Sequence, residues 1–361
     1  MKRFPSELED TLIDFCHADA TTLASCALVC RAWLPASRYH IFYAVSLTVQ
    51  NVPRFLDIIS SSTSIPHLVR EVALCFTGPL LPDLVAILTL LKRTARLCIH
   101  PTRDDVTRIT STSALFPALT ALQLVHLKFD FKSRFESLRQ VVDCVCLCPR
   151  LESLEVGGSW LARGDFTVPP RLPEGLHTLT LTCDLDNFLK WLLTLEDEKP
   201  AIRNLILDHI VRREVPAIVE YLEALGPSLD SLSLAFRDHG AAYIFAGRVA
   251  LARNPNLREF KLEGNPPGIL ESFSALLPQL HLCKAEHTTL SIKHGPYAGA
   301  DLILQAYPWD VLDRILGDPQ RCCLQRLTVA VFEPLTRAQT LNVMDYIVAQ
   351  LPLAQTRGIL A

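Results

Sequence analysis

The stretch Leu229-Asp230-Ser231-Leu232-Ser233-Leu234 decides the fold, because its spacing of apolar residues recurs along most of the chain. An anchor residue is followed, three and five positions later, by two apolar residues that share one face of an extended chain. Similar or weaker copies lie at Phe42/Val45/Leu47, Val69/Val72/Leu74, Thr94/Leu97/Ile99, Leu119/Leu122/Leu124, Leu151/Leu154/Val156, Leu176/Leu179/Leu181, Ile202/Leu205/Leu207, Leu257/Phe260/Leu262, His287/Leu290/Ile292 and Leu324/Leu327/Val329. Successive copies begin 25 to 37 residues apart.

The spacing within each copy predicts a short β-strand. Side chains alternate between the two faces of a strand, so the second and third apolar residues point to the same inner face. Between copies, the stretch Phe188-Leu189-Lys190-Trp191-Leu192-Leu193 has the apolar spacing of a helix. Prolines such as Pro149 and Pro227 stand just before an anchor, where they would end a helix. The sequence therefore predicts an α/β chain built from strand-plus-helix repeats.

This pattern resembles the leucine-rich repeat, and the resemblance covers roughly residues 42–351. It implies a solenoid whose strands line the concave side. Regular repeats carry an asparagine two residues beyond the strand, but only the copy at Leu257 does so, with Asn265. We therefore expect an irregular solenoid with looser loops near 129–140, 157–171 and 293–320. We expect residues 334–351 to form the last helix and a cap, and residues 352–361 to be a tail.

The first 41 residues have a different pattern, which predicts three short helices. Ser6 followed by Glu9 indicates a capping box at the first helix, and Asp19 or Thr21 can cap the second. Pro35 can lie only in the first turn of a helix, so it marks the start of the third. Periodicity alone favours three core helices that cap the next domain. Three such helices bury little surface, so some of it needs a partner or that domain.

Three stretches of this region are Phe4-Pro5-Ser6-Glu7-Leu8, Leu28-Val29-Cys30-Arg31-Ala32-Trp33 and Ser37-Arg38-Tyr39-His40-Ile41-Phe42. They resemble the F-box, the helical module that docks a substrate receptor onto a Skp-type adaptor of a cullin ubiquitin ligase, and they look most like its fungal branch. The resemblance makes residues 1–41 the adaptor-binding module, although Phe4 replaces the usual leucine. It implies adaptor contacts by Phe4, Pro5, Leu8, Leu12, Leu23, Leu28, Val29, Cys30, Arg31 and Trp33.

The resemblance further implies that the repeat domain, residues 42–351, binds a protein substrate. The residues that flank the inward pair on each strand should point to solvent. This predicted substrate face consists of Glu71, Arg96, Gln123, Glu155, Thr180, Asp208, Ser233, Lys261, Glu263 and Arg326. It has no cluster of Arg or Lys, which argues against a pocket dedicated to phosphate. The alternative is that this face is merely solvated and that rim loops, including an exposed Trp160, bind the substrate.

The composition argues against several classes of protein. With 361 residues, 49% apolar, 20% charged and a net charge of −3, the chain should fold without a polyelectrolyte partner, and it lacks the basic stripe of a nucleic-acid binder. We expect no membrane span, because no apolar run reaches ~18 residues, and no secretory signal. The 12 cysteines lie in apolar runs, which predicts free thiols in the cytoplasm, the nucleus or both.

No motif predicts catalysis, a cofactor or a metal site. The sequence lacks a phosphate-binding P-loop, G-x-G-x-x-G, H-E-x-x-H and a complete G-x-S-x-G. The spacing in Asp143-Cys144-Val145-Cys146-Leu147-Cys148 favours a buried helix end over a zinc site. Asp104-Asp105 reads as a helix cap, and we expect His126, His209 and His239 on rims. We therefore expect no enzyme.

Two functions remain compatible with these patterns. The first is a substrate-recognition subunit of a Skp–cullin–F-box ubiquitin ligase. The second is a leucine-rich-repeat scaffold that binds the adaptor or another protein without a role in ubiquitination. Co-purification of a cullin and of ubiquitinated clients would separate the two.

Overall fold

A computed structural model describes residues 5–76, 82–101, 108–109, 115–130, 133–162, 171–182, 184–195, 199–283, 285–293, 305, 307–320, 322–332 and 337–360. The chain divides into two compact units, Met1–Gly175 and Leu176–Ala361. Both units are α/β, with strands that run parallel to their neighbours. No helix within the described ranges combines the length and the apolar character needed to cross a bilayer.

The first unit begins with three helices and continues with alternating strands and helices. Its helices are α1 (Ser6–Phe15), α2 (Ala20–Val29), α3 (Leu34–Tyr43), α4 (Val52–Ser61), α5 (Pro82–Leu90), α6 (Phe116–Ala121) and α7 (Leu138–Cys146). Its strands are β1 (Ala44–Thr48), β2 (Glu71–Phe76), β3 (Arg96–Pro101), β4 (Arg108–Ile109), β5 (His126–Phe129), β6 (Arg134–Ser137), β7 (Ser153–Val156) and β8 (Ser159–Ala162). The order β1-β2-β3-β5-β7 forms the main parallel sheet, and β4-β6-β8 forms a smaller one.

The second unit repeats the alternation of strand and helix. Its strands are β9 (Thr178–Leu181), β10 (Asn204–Ile210), β11 (Ser231–Phe236), β12 (Glu259–Gly264), β13 (His287–Lys293) and β14 (Arg326–Phe332). Its helices are α8 (Leu185–Leu193), α9 (Val215–Leu225), α10 (His239–Arg248), α11 (Gly268–Leu282), α12 (Trp309–Gly317), α13 (Arg337–Ala349) and α14 (Pro352–Thr356). Each strand from β9 to β13 pairs in parallel with the next strand along the chain.

The predicted alternation is confirmed in most of the copies. On β7, Leu154 and Val156 are buried while Ser153 and Glu155 keep partial access to solvent. The register places Leu205 opposite Leu232 and Leu207 opposite Leu234, so the apolar residues stack in continuous rows. Burial of each such side chain contributes about 1.5–3 kcal/mol, which explains why strands of only four to seven residues persist.

Two copies of the repeat were placed in the wrong register. Leu119 belongs to α6, and Leu122, Gln123 and Leu124 lie between that helix and β5. The strand register pairs Arg96 with His126, so the true copy is Leu124/Leu127/Phe129. The helix supplied an apolar residue at the anchor spacing by coincidence, because helical and repeat spacings overlap over short distances.

The copy near β13 is displaced by two residues. Phe260 pairs with Thr288 and Leu262 pairs with Leu290, so the anchor is the buried Ala285 and not the exposed His287. Thr288, Leu290 and Ile292 all lie on the buried side, so their apolar pattern permits two registers. In the correct register the first inward residue is Thr288, which is not apolar, so the apolar pattern favoured the wrong register.

Segments expected to be loose contain regular structure. The region 129–140 holds β6 and the start of α7, and the region 157–171 holds β8. The region 293–320 contains α12, while its residues 294–304 lie outside the described part. Helix α13 corresponds to the predicted last helix.

The expected tail is packed onto the second unit. Residues 352–356 form α14, and Leu360 makes a parallel bridge with Leu327 of β14. The side chain of Asp313 accepts the backbone N–H groups of Leu353 at 3.0 Å and Ala354 at 2.9 Å. The segment therefore extends the last repeat.

Candidate functional site

The N-terminal helices follow from local sequence signals, with one exception. Helix α1 begins at Ser6 with Pro5 as its N-cap residue, so Ser6 is not the N-cap that the predicted capping box requires. Helix α2 is capped by Asp19, which accepts the N–H groups of Thr21 at 3.0 Å and Thr22 at 3.1 Å. A hydrogen bond from the Thr22 hydroxyl, together with these two backbone bonds, holds the pKa of Asp19 below its usual value. Pro35 lies in the first turn of α3, as predicted.

Few side chains of the three helices are fully buried. Ile13 of α1, Leu23 of α2 and Ser37 of α3 are buried. A hydrogen bond of 2.6 Å joins His40 Nε2 on α3 to Asp14 Oδ1 on α1. Because Leu23 is only 1% exposed, it is not available for the predicted adaptor contact and serves the interior.

The helices instead expose much of their apolar surface. Leu8, Leu12 and Phe15 of α1 are 51%, 53% and 80% exposed, and Leu28 and Val29 of α2 are 87% and 63% exposed. Leu8, Leu12 and Phe15 stand at helical spacing, so they form one stripe along α1. Grouped exposed apolar side chains are typical of surfaces through which proteins bind partners.

The other residues predicted to contact the adaptor differ in accessibility. Pro5, Cys30 and Arg31 are exposed, and Trp33 is half-buried. Phe4 lies outside the described residues. The prediction omitted Phe15, although its position seven residues after Leu8 places it on the same stripe.

The outer face of the main sheet in the first unit is lined by paired polar groups. Arg96 Nη1 lies 3.3 Å from Glu71 Oε1, and Lys128 Nζ lies 2.5 Å from Glu155 Oε1. The predicted Glu71, Arg96 and Glu155 therefore lie on this face, each paired with an opposite charge. The predicted Gln123 does not lie on a strand, and its Oε1 accepts a hydrogen bond from Arg150 Nη1 at 2.8 Å.

Two histidines add to this face, and one of them, His126, was expected on a rim. His126 begins β5 and hydrogen-bonds Ser153 Oγ at 3.0 Å through Nδ1. Burial lowers its pKa. His100 Nδ1 lies 3.1 Å from Asp130 Oδ2. Polar side chains from neighbouring strands, or from the residue just after a strand, thus contact each other on this face.

The outer face of the second unit has a different character. One row of neighbouring positions across β9–β14 consists of Thr180, Ile206, Ser233, Lys261, Thr289 and Thr328. Lys261 is the only charged member of that row. The predicted Thr180, Ser233 and Lys261 are thereby brought together, while Arg326 lies exposed at the start of β14.

Two predicted acidic residues stand near the other end of these strands. Burial would raise the pKa of Glu263, but hydrogen bonds from Lys293 at 2.9 Å and Lys261 at 3.0 Å outweigh it and lower the pKa. Asp208 lies where β10 shifts register, next to His209, whose φ of 57° is in the left-handed region. His209 is exposed at this irregularity.

The alternative that rim loops bind the substrate relied on an exposed Trp160, but this residue is buried. Trp160 lies on β8, opposite Phe135 of β6, and is only 8% exposed. A Cβ at Gly158 would approach Ser133 O within 2.7 Å, so this glycine permits the close contact of the two segments. The rest of that rim, residues 163–170, lies outside the described part.

The cysteine cluster lies at a helix end, as the sequence predicted. Cys144 and Cys148 are buried, and burial raises the pKa of Cys146 to about 11 and that of Cys148 to about 12. These thiols are therefore protonated at neutral pH. Within the described ranges, no group of three His, Cys, Asp or Glu side chains is placed to hold a metal ion. Asp104 and Asp105 fall outside those ranges, as does the side chain of His239.

The chain matches no protein-family model. It also matches no curated protein. The features of the chain that bear most directly on its function are therefore the exposed apolar side chains of α1 and α2.

Proposed function

We propose that the chain is the substrate-recognition subunit of a Skp–cullin–F-box ubiquitin ligase. In this proposal α1–α3 form the F-box that binds a Skp-type adaptor, and the repeats bind a protein substrate. The observation that carries the proposal is the exposure of Leu8, Leu12, Leu28 and Val29. These are residues that the F-box resemblance assigns to the adaptor, in a chain that otherwise buries most of its repeat leucines.

The repeats support the second half of the proposal. Within each unit, parallel strands stack their inward apolar residues in register, and helices return the chain between strands. This arrangement is the one expected of an irregular leucine-rich-repeat solenoid. It presents a row of outward side chains that a protein substrate could contact.

Such a subunit performs no chemistry itself. It binds substrate and adaptor at the same time, which raises the effective concentration of a substrate lysine near a ubiquitin-charged enzyme on the same scaffold. The proposal therefore needs no cofactor, and it fits a protein of the cytoplasm or nucleus.

The test replaces Leu8 and Val29 by Asp in the full chain and measures binding to a purified Skp-type adaptor. Two charges in a desolvated contact should weaken binding at least ~100-fold, because buried interface anchors contribute about 2 kcal/mol or more each. Both side chains are more than half exposed, so the fold should be retained. The matched control replaces Tyr243 and Leu282, which are 66% and 65% exposed in the second unit, by Asp.

Undiminished binding by the Leu8/Val29 variant would show that these helices are not an F-box. The scaffold alternative is tested separately, by purifying the full chain from cells with the proteasome inhibited. A ligase subunit should bring down a cullin and ubiquitinated clients, and it should lose both in the Leu8/Val29 variant. A scaffold would bind its partner with neither.

A further inference from the structure

Helix α1 is held to its unit by very little of its own surface. Among its described side chains only Ile13 is buried, and the one polar link to another helix is the Asp14–His40 hydrogen bond. A helix of ten residues is marginally stable in water without packing on a partner. A surface that covered its exposed stripe of Leu8, Leu12 and Phe15 would supply the missing packing.

The charges of α1 have one sign. The helix contains Glu7, Glu9, Asp10 and Asp14, and it contains neither Lys nor Arg. Asp14 pairs with His40, whereas Glu7 and Asp10 are exposed and form no ion pair with any described residue. Lys2 and Arg3 precede the helix outside the described part.

The positions of these acids relative to the apolar stripe are not equivalent. At about 100° per residue, Leu8, Leu12 and Phe15 fall within about 60° of the helix circumference. Glu7 lies to one side of that stripe and Glu9 lies to the other, so a groove that enclosed the stripe would meet these two acids at its rims. Asp14 lies farther round the helix on the side of Glu7, where it pairs with His40 of α3. Asp10 lies on the far side of the helix and would face away from the groove.

We propose that α1 docks into an apolar groove of the Skp-type adaptor whose rims carry Lys or Arg side chains opposite Glu7 and Glu9, with Phe15 as an apolar anchor. This inference rests on the proposed function and adds to it. It assigns a role to Phe15, which the F-box resemblance did not, and it states the charge of the partner surface. Charge complementarity determines the sign of the rims, since an acidic helix is attracted to a basic rim and repelled by an acidic one.

The experiment measures the affinity of the purified full chain for a purified Skp-type adaptor at 50 and 300 mM NaCl. Binding of the unaltered chain should weaken as salt rises, because the rim pairs are screened. Glu7→Gln should weaken binding at low salt about 2- to 5-fold, the range of a partly exposed ion pair, and should reduce the salt dependence. Asp10→Asn, the matched control on the same helix, should change neither quantity.

Phe15→Ser should weaken binding at least ~10-fold at both salt concentrations, as expected for an apolar anchor. At 80% exposure, Phe15 contributes little to the fold, and helical content measured by circular dichroism should be unchanged. Tyr243→Ser is the control for loss of an exposed aromatic side chain elsewhere.

Four results would overturn this inference. They are a Glu7→Gln variant with unchanged affinity and salt response, an Asp10→Asn effect equal to that of Glu7→Gln, an unaffected Phe15→Ser variant, or a dimer of the chain alone that Phe15→Ser dissociates. If the unaltered chain fails to bind the adaptor at either salt, the proposed function itself fails. If it binds and only the Leu8/Val29 variant loses affinity, the proposed function stands and this inference is wrong.

Discussion

At the scale of single residues, Asn51 protects the outer edge of β1. Among the described residues β1 pairs only with β2, which leaves one side of the strand without a neighbour. Asn51 Oδ1 accepts the N–H of Thr48 at 2.8 Å, and its Nδ2 donates to the carbonyl of Ser46 at 2.8 Å. Its own N–H donates to the carbonyl of Thr48 at 3.1 Å. One side chain thus occupies edge groups that could otherwise pair with another chain.

We expect Asn51→Ala to lower the free energy of unfolding by about 0.5–1.5 kcal/mol and to promote self-association at high concentration. Denaturant titration and sedimentation measure the two effects. Asn256→Ala is the control, because Asn256 donates to the carbonyl of Pro227 at 2.6 Å but does not cover a strand edge. Equal behaviour of the two variants would mean that Asn51 contributes a hydrogen bond and no edge protection.

Asp313 has a comparable role near the C-terminus. Its buried carboxylate accepts two backbone N–H groups of α14, and Arg357 in turn donates to the carbonyls of Leu316 and Cys322, both at 2.7 Å. Together these bonds attach the final segment to α12 and to the residues before β14. The segment carries no strand or repeat signature, which is why the sequence predicted a tail.

Asp313→Ala should lower the free energy of unfolding by roughly 2–3 kcal/mol, because it leaves buried N–H groups without an acceptor. The same variant should speed proteolytic cleavage within residues 350–360. Asp310→Ala, on the same helix, removes an exposed pair with Arg314 at 3.0 Å and should cost only ~0.3–0.5 kcal/mol. A loss for Asp313→Ala no larger than that of Asp310→Ala would contradict the role assigned here.

At the scale of elements, strands were predicted well wherever alternation and burial agree. Leu154 and Val156 could be placed because a strand with one buried face must alternate. The copy at Leu119 was placed in the wrong register because α6 supplies apolar residues at the same spacing. The prediction that Trp160 lies exposed in a loop was wrong. The preceding Gly157-Gly158 pair is typical of a loop, but here these residues lead into β8 of the smaller sheet. The strands of that sheet carry no copy of the repeat spacing, so the pattern that predicted the main sheet did not predict them.

The connection between the N-terminal helices and the first strand is another feature of this scale. Helix α3 ends at Tyr43 and β1 begins at Ala44, so no linker residue separates them. The N–H of Arg70 donates to the carbonyl of Tyr43 at 2.9 Å, which extends the pairing of the sheet to the helix end. The N-terminal helices and the first strand therefore belong to one folded unit.

Limited proteolysis should consequently spare residues 38–50, while the exposed helix α1 should be cleaved earlier. Cleavage requires local unfolding, and the junction is held by sheet pairing whereas α1 is held mainly by Ile13. Mass spectrometry of early fragments measures the order of cleavage. A stable fragment starting near residue 45, released before any cut in α1, would contradict this prediction.

At the scale of the whole molecule, the two units present different outer strand faces. The first carries cross-strand ion pairs, while the second combines a row of mainly hydroxyl side chains around Ile206 and Lys261 with the ion pairs that Glu263 makes with Lys261 and Lys293. The sequence predicted a mixed row, since it could name outward positions but not the neighbours that neutralise them. Lys128, the partner of Glu155, was missed because its copy of the repeat was read in the wrong register.

The paired charges allow a test of the outer face that preserves the fold. In the double variant Lys128→Glu with Glu155→Lys the ion pair is kept but its polarity is reversed, so the unfolding temperature should remain within about 2 °C of the unaltered chain. If a substrate contacts this face, affinity for a client that co-purifies with the full chain should fall ~10-fold or more, because like charges would then face each other across the interface.

The matched control reverses the Arg139–Asp143 pair of α7, whose atoms lie 2.6 Å apart on a helix and not on the strand face. Undiminished client binding by the strand-face swap, with adaptor binding intact, would remove the first unit's sheet from the substrate site. The row around Ile206 in the second unit would then be the next surface to alter, by Ile206→Asp.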